Sequence, residues 1–198
     1  RVIMKQVEGY VERITYRNED NGYSVIYLSN PEPKADEDDE VCCVGYFSFV
    51  SEGEYLVING RETVHKSYGP QIQVESYESK RPSSQVAIEK YLGSGAIKGI
   101  GAALAARIVR RFGEKTFEII ENEPERLAEI KGISMKMAVS VAKQFNDKRQ
   151  MRQSVIFLQE YGISVNMAVK IYKFYGEKIY EIMQQNPYRL AEDIAGIG

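Results

Sequence analysis

An α+β chain of two domains, a small closed β-barrel followed by an all-α repeat domain, is predicted by three features of this 198-residue sequence. Hydrophobic periodicity changes from about two to about 3.6 near residue 82, a block of the second part recurs within it, and the charge changes sign between the parts. Residues 1–81 hold 9 Lys and Arg against 15 Asp and Glu, a net of -6, and residues 82–198 hold 17 against 13, a net of +4. The expected division is a barrel over 1–80, a linker over 81–86 opening Arg81-Pro82-Ser83-Ser84, and helical blocks over 87–150 and 151–198.

Five short strands are legible in the first domain. Val7–Ile14 roughly alternates, Tyr23–Leu28 is rich in β-formers, and Asn18–Gly22 between them is a turn cluster. Val41–Phe47, Tyr55–Thr63 and Ile72–Tyr77 follow, separated by Ser51-Glu52-Gly53-Glu54 and Ser67-Tyr68-Gly69-Pro70. That spacing suits a barrel of the oligonucleotide/oligosaccharide-binding (OB) type, with an SH3-like barrel as the alternative. The insertion PEPKADEDDE, residues 31–40, has no apolar period and reads as a solvated loop. Tyr16, Tyr23, Tyr27, Tyr46 and Phe47 are either a base-stacking platform or core and partner-facing residues. The acidic charge favours the second, and Arg13, Arg17, Arg61 and Lys66 are the few cations suited to a nucleic-acid track.

In the second domain the pattern predicts helices over Ala102–Phe112, Thr116–Glu121, Met135–Phe145, Met151–Tyr161, Val165–Tyr175 and Ile179–Gln185. Asn186-Pro187 reads as a cap and first helical position. A shift of 63 residues lays 99–129 on 162–192 with 14 of 31 positions identical, which is a duplication. Gly-Ile turns punctuate it at Gly99-Ile100-Gly101, Gly132-Ile133-Ser134, Gly162-Ile163-Ser164 and Gly196-Ile197-Gly198. The fourth falls where its helix should begin, so the repeat is expected to continue past residue 198.

Two glycines beside a helix start answer a backbone need, since glycine within a helix costs about 1 kcal/mol relative to alanine. A Gly-Ile-Gly turn presents N–H groups in one direction, and the helix after it adds its unpaired first-turn N–H groups and positive dipole end. The expected product is an anion socket, formed by the N–H groups of Gly99, Ile100 and Gly101 beside Lys98. Residues 97–152, with 12 basic and 7 acidic side chains, are the most basic stretch around it.

Other chemistry is excluded on composition. No apolar run approaches the ~20 residues of a membrane span, and RVIMKQVEGY lacks a signal peptide's apolar stretch, so a cytoplasmic location is expected and no membrane partner. Cys42 and Cys43, adjacent in a strand, point to opposite faces and read as buried or half-buried thiols without metal-site spacing. With His65 the single histidine and no paired carboxylates of metal-site type, a nuclease is disfavoured. Gly113-Glu114-Lys115-Thr116 lacks the glycines of a nucleotide-binding P-loop.

The pattern Ile97-Lys98-Gly99-Ile100-Gly101 with Ala105 and Ile108 resembles the helix-hairpin-helix motif of DNA repair and replication proteins. Ile130-Lys131-Gly132-Ile133-Ser134 with Ala138 and Val141 is a second copy, so that 87–150 reads as a tandem pair. The resemblance implies that the hairpins grip DNA phosphates with little sequence preference. The residues carried over are Lys98, Gly99, Ile100, Gly101, Arg107, Arg110 and Arg111 for the first copy and Lys131, Gly132, Ser134 and Lys136 for the second. Gly162-Ile163-Ser164 follows Glu160-Tyr161 instead of an apolar-Lys pair and is the weaker candidate, because a carboxylate repels phosphate.

The strings VEGYVERITYRNEDNGYSVIYL, VHKSYGPQIQVESYE, YLGSGAIKGIG and NPYRLAEDIAGIG resemble the N-terminal region of RecD-like DNA helicases of the RecD/TraA type. That resemblance implies a superfamily 1 motor, outside these residues, that uses ATP and Mg2+ to move 5′ to 3′ on single-stranded DNA. The residues in hand are expected to bind DNA and the motor domains and to carry no catalytic group or cofactor of their own. The rival reading is a protein-interaction scaffold that docks a partner on the acidic barrel.

Overall fold

Alternation of Val7, Gly9 and Val11 inward with Glu8, Tyr10 and Glu12 outward sets the first strand of the barrel, and its neighbours repeat the pattern. In the computed structural model, which describes residues 2–32, 40–47, 50–186 and 189, the strands are β1 (Met4–Arg17), β2 (Tyr23–Glu32), β3 (Glu40–Tyr46), β4 (Tyr55–His65) and β5 (Gly69–Lys80). They form a closed barrel in the order β1-β2-β3-β5-β4, with β1 returning to pair with β4 and β3 running parallel to β5. This is the Greek-key order of an OB barrel, and it settles the choice against the SH3-like alternative. Val7, Ile26, Leu28, Cys43, Phe47, Leu56 and Ile58 fill the interior. Gly60 is required by a close approach: a Cβ there would sit 2.3 Å from the Gln73 carbonyl oxygen, where the β4–β5 register shifts.

The expected loop over 31–40 is corrected at both ends. Pro31 and Glu32 extend β2 and Glu40 begins β3; residues 33–39 lie outside the described residues.

A helix that the sequence pattern does not predict, α1 (Gln85–Gly93), follows the barrel. Ser84, expected in the linker, is its N-cap: the hydroxyl oxygen accepts the Ala87 N–H at 3.2 Å, and Ala87, Ile88, Tyr91 and Leu92 form its buried face. Then come α2 (Ala102–Phe112), α3 (Thr116–Asn122), a 3-10 segment over Pro124–Glu129, α4 (Met135–Gln159), α5 (Val165–Tyr175) and α6 (Ile179–Gln185). The two helices expected over 135–145 and 151–161 are one. Residues 146–150 contain neither Gly nor Pro, and Lys143–Asp147 (2.8 Å) and Arg149–Asn146 (2.8 Å) brace that stretch at helical spacing.

The chain divides within α4 into two compact units, residues 1–142 and 143–198. In the first, barrel and helices are joined at α1. Lys90 pairs with Glu12 (2.6 Å), donates to the Ser29 hydroxyl (3.2 Å) and lies over the Tyr10 ring, while Gly53 (φ 88°) packs so tightly on the end of α1 that a Cβ would meet Ser94 at 2.8 Å. In the second, Val155, Leu158, Ala168, Val169, Ile171, Ile179 and Ile182 are buried. Asn186 receives the Arg189 N–H on its side-chain oxygen (3.3 Å), the geometry of a helix cap. Pro187 and the turn at 196–198 lie outside the described residues.

Candidate nucleic-acid interface

Each hairpin begins with a buried isoleucine on either side of an exposed lysine-glycine pair: Ile97 and Ile100 flank Lys98-Gly99, and Ile130 and Ile133 flank Lys131-Gly132. Burying the two isoleucines folds the chain back on itself, and the residue between must take a positive φ. Gly99 has φ 95° and Gly132 φ 101°. Gly101, by contrast, is the N-cap of α2 in extended conformation (φ -97°, ψ -177°), with nothing within 4 Å of a Cβ placed on it.

The structure corrects one N–H donor. The Ile100 N–H donates to the Ile97 carbonyl (3.3 Å) and the Ile133 N–H to the Ile130 carbonyl (3.1 Å), so both close their turns rather than face outward. Ile100 serves the socket as its buried plug. The outward donors come from the glycines and the first helical turn, whose N–H groups have no intrahelical acceptor.

The second turn position then separates the sockets. Ser134 accepts the Met137 N–H on its hydroxyl (3.1 Å), and Ser164 accepts that of Met167 (3.3 Å); Gly101 has no side chain and α2 starts without a side-chain cap. The Leu104 N–H, a group outside the sequence-based set, is therefore an additional open donor of the first socket. Its signal in the sequence is glycine at position 101 against serine at 134 and 164.

The two turns pack against each other's helices in a reciprocal way. The Met137 methyl lies 3.3 Å from a Cβ position on Gly99, and Leu104 Cδ1 lies 3.7 Å from that on Gly132; Leu104 and Met137 each stand five residues after their own turn glycine. Lys98, Gly99, Gly101, Lys131, Gly132, Ser134 and Lys136 are all exposed there. The three α2 arginines are all exposed; Arg107 donates to the Lys131 carbonyl (3.2 Å) and Arg111 pairs with Glu129 (2.9 Å). The third turn shares the positive φ, with Gly162 at 81°, but closes differently: the Gly162 N–H donates to the Gln159 carbonyl (2.9 Å) and the Ile163 N–H to that of Leu158 (3.3 Å).

On the barrel the aromatic residues divide. Phe47 is fully buried, which removes it from any surface platform, whereas Tyr16 (52%) and Tyr46 (54%) are exposed and Tyr23 stacks edge-on to Tyr46. Tyr27 lies under the Arg13 guanidinium (4.1 Å) and opposite Cys42; the Cys42 thiol and burial push the Tyr27 phenol up, and burial pushes Cys42 up. Of the four barrel cations suited to a nucleic-acid track, three are engaged: Arg13 with Glu40, Arg17 with the Val50 carbonyl, and Arg61 with Glu75 and Gln73. His65 accepts the Ser67 N–H on Nδ1 (3.0 Å) and acts as a turn cap. Cys42 and Cys43 are free thiols, half-buried and buried.

The Gly113-Glu114-Lys115 string is the C-terminal stop of α2: Gly113 has φ 59°, and the buried Thr116 hydroxyl donates to its carbonyl (2.6 Å). Gly176-Glu177-Lys178 repeats the stop after α5. A cradle for ATP and Mg2+ does not fit there, since the hydroxyl that would hold the metal is buried and engaged. Among the described residues no cluster of His, Cys, Asp or Glu suits a metal ion, and no helix is long and apolar enough to cross a membrane.

Comparison with known proteins supports both halves of this description. Residues 4–82 match the OB-fold domain of the ATP-dependent DNA helicase YrrC, and residues 88–150 and again 147–198 match the helix-hairpin-helix domain of the ATP-dependent RecD2 DNA helicase. The chain belongs to the RecD2 helicase family. It carries the family's OB and helix-hairpin-helix domains and is 22% identical over 195 residues to the ATP-dependent RecD2 DNA helicase of Deinococcus radiodurans. That alignment covers 98% of this chain and 27% of the relative, so the chain spans about a quarter of the RecD2 length. Among solved structures, the S. pombe Stn1–Ten1 complex is 16% identical over 40% of this chain and 59% of that chain, with a TM-score of 0.30, too low to bear on the fold.

Proposed function

We propose that the paired hairpins of this RecD2 region grip the DNA phosphate backbone without sequence preference, as a non-catalytic part of a 5′-to-3′ helicase whose ATP- and Mg2+-dependent motor lies elsewhere in the longer protein. The observation that carries this reading is the coincidence, twice over, of a positive-φ glycine, an exposed lysine before it and open first-turn N–H groups after it. Backbone donors and a helix dipole favour an anion, and phosphates spaced along a polymer are the anion that a repeated socket fits. Lys98 and Lys131 add charge at the two turns, Lys136 and Arg110 extend it, and the first socket, with its additional Leu104 N–H, is the stronger.

The barrel takes the other role in this proposal. With Arg13, Arg17 and Arg61 engaged internally and a surplus of carboxylates, its field opposes phosphate, and a protein partner or the motor domains are its expected neighbours. The test is the salt dependence of DNA binding by the 198-residue chain. Lys98→Ala and Lys131→Ala should each weaken binding similarly on unrelated sequences and flatten the slope of log K against log salt by about 0.9 for every phosphate that is no longer neutralised. Parent affinity and slope in both folded variants would remove the hairpins from DNA binding and leave the scaffold reading.

A further inference from the structure

We propose that Arg107 is a positioning residue for the second socket, aiming the Gly132 N–H outward and so coupling the two hairpins into one clamp. The inference rests on the DNA-binding reading above, but its geometry stands independently.

Arg107 belongs to α2, the helix of the first hairpin, yet its Nη1 donates to the carbonyl oxygen of Lys131 in the second (3.2 Å). The same nitrogen lies 3.4 Å from a Cβ position on Gly132. The bonded carbonyl belongs to the peptide between Lys131 and Gly132. In a trans peptide the C=O and N–H point in opposite directions, so a carbonyl held against α2 turns the Gly132 N–H away from α2. Gly132 is exposed, and Leu104 Cδ1 lies 3.7 Å from its Cβ position.

Two further effects act in the same direction. The guanidinium covers a carbonyl oxygen that would otherwise repel an arriving phosphate. Arg111, one turn further along α2, pairs with Glu129 (2.9 Å) just before the second turn and holds that segment to the same helix. The reciprocal position on α4, Ser140, carries no cation, so the bracing by a guanidinium runs from the first hairpin to the second. A phosphate that orders the first hairpin thereby orders the donor of the second.

A double-mutant cycle on duplex DNA, with amide NMR of the free protein, tests this. Arg107→Gln and Gly132→Ala should each lower affinity about tenfold, the size of one charge-assisted hydrogen bond, and the double variant should lose no more than the larger single loss. In the absence of DNA, Arg107→Gln should move the Gly132 amide resonance and leave Gly162 unmoved. Losses that multiply to about a hundredfold, or a Gly132 resonance that stays in place while Arg107→Lys restores full affinity, would show that Arg107 acts as a charge alone. If the parent chain fails to bind DNA, the functional reading falls, and the Gly132 resonance still decides whether Arg107 sets the turn.

Discussion

Replacing either glycine of the first turn by alanine separates two explanations of why glycine stands there. At Gly99 the backbone has φ 95°, a region that costs an L-residue about 1–2 kcal/mol. The new methyl would also meet the Met137 methyl at 3.3 Å, a flexible tip that can move. At Gly101 the backbone is extended and a Cβ meets nothing within 4 Å. There the reduced freedom of the unfolded chain, worth about 0.4–1 kcal/mol, offsets a loss of N-cap preference of similar size. Gly99→Ala should therefore be less stable than Gly101→Ala by about 1–2 kcal/mol, or roughly 2–8 °C in midpoint for a chain of this length. Thermal melts followed by circular dichroism at 222 nm read the difference. If Gly101→Ala proves as destabilising as Gly99→Ala, the assignment of the positive-φ position is wrong, and the account of the socket with it.

Two other outcomes follow from the first unit. Hydrogen bonding to Lys90 holds the Glu12 carboxyl below its ordinary 4.5, so its contribution is present above that value and lost as pH falls through the lower folded pKa. Because the pair is partly exposed, Lys90→Met should cost only about 0.2–1 kcal/mol at pH 7, and urea titrations should find the difference from the parent shrinking below pH 4.5. Burial pushes the Cys43 thiol far up, whereas Cys42 is only half-buried, so a thiol-reactive disulfide reagent should label at most Cys42 in the native chain. Rapid modification of both thiols without denaturant would contradict the barrel core.

The Gly-Ile turns and Gly-Glu-Lys stops mark α2 and α5 to the residue, whereas α4 ends at Gln159, two residues short of the expected Tyr161. Where the mark is ambiguous the pattern misleads. Ser84 looks the same as a linker serine and as an N-cap, so α1 is hidden. Residues 146–150 fall between two expected helices, yet Asp147 is tied to Lys143 within an unbroken α4. The sockets are legible as glycine spacing. Their donors are not, because which N–H closes a turn depends on φ and ψ: Ile100 and Ile133 donate inward, and the positive φ falls on the first glycine rather than the second. Arg107 illustrates a further limit, since nothing in its spacing says that it reaches a carbonyl 24 residues away.

The barrel closes unevenly. β4 and β5 pair along the whole of β4, from Tyr55 to His65, whereas β3 and β5 meet at two pairs, Cys43 with Ile72 and Val44 with Gln73. A tube fastened this way has a seam. Parting it leaves a curled sheet with every other strand pair intact, so amide hydrogens at Val44 and Gln73 should exchange through a shallow local opening, and those midway along β1 and β4 only through unfolding of the whole barrel. At the seam a missing side chain serves as the latch: Gly45 lies so near β5 that any Cβ would stand 2.8 Å from that of Val74. A larger residue at position 45 would hold the seam ajar and turn the cylinder into an open sheet with two free edges.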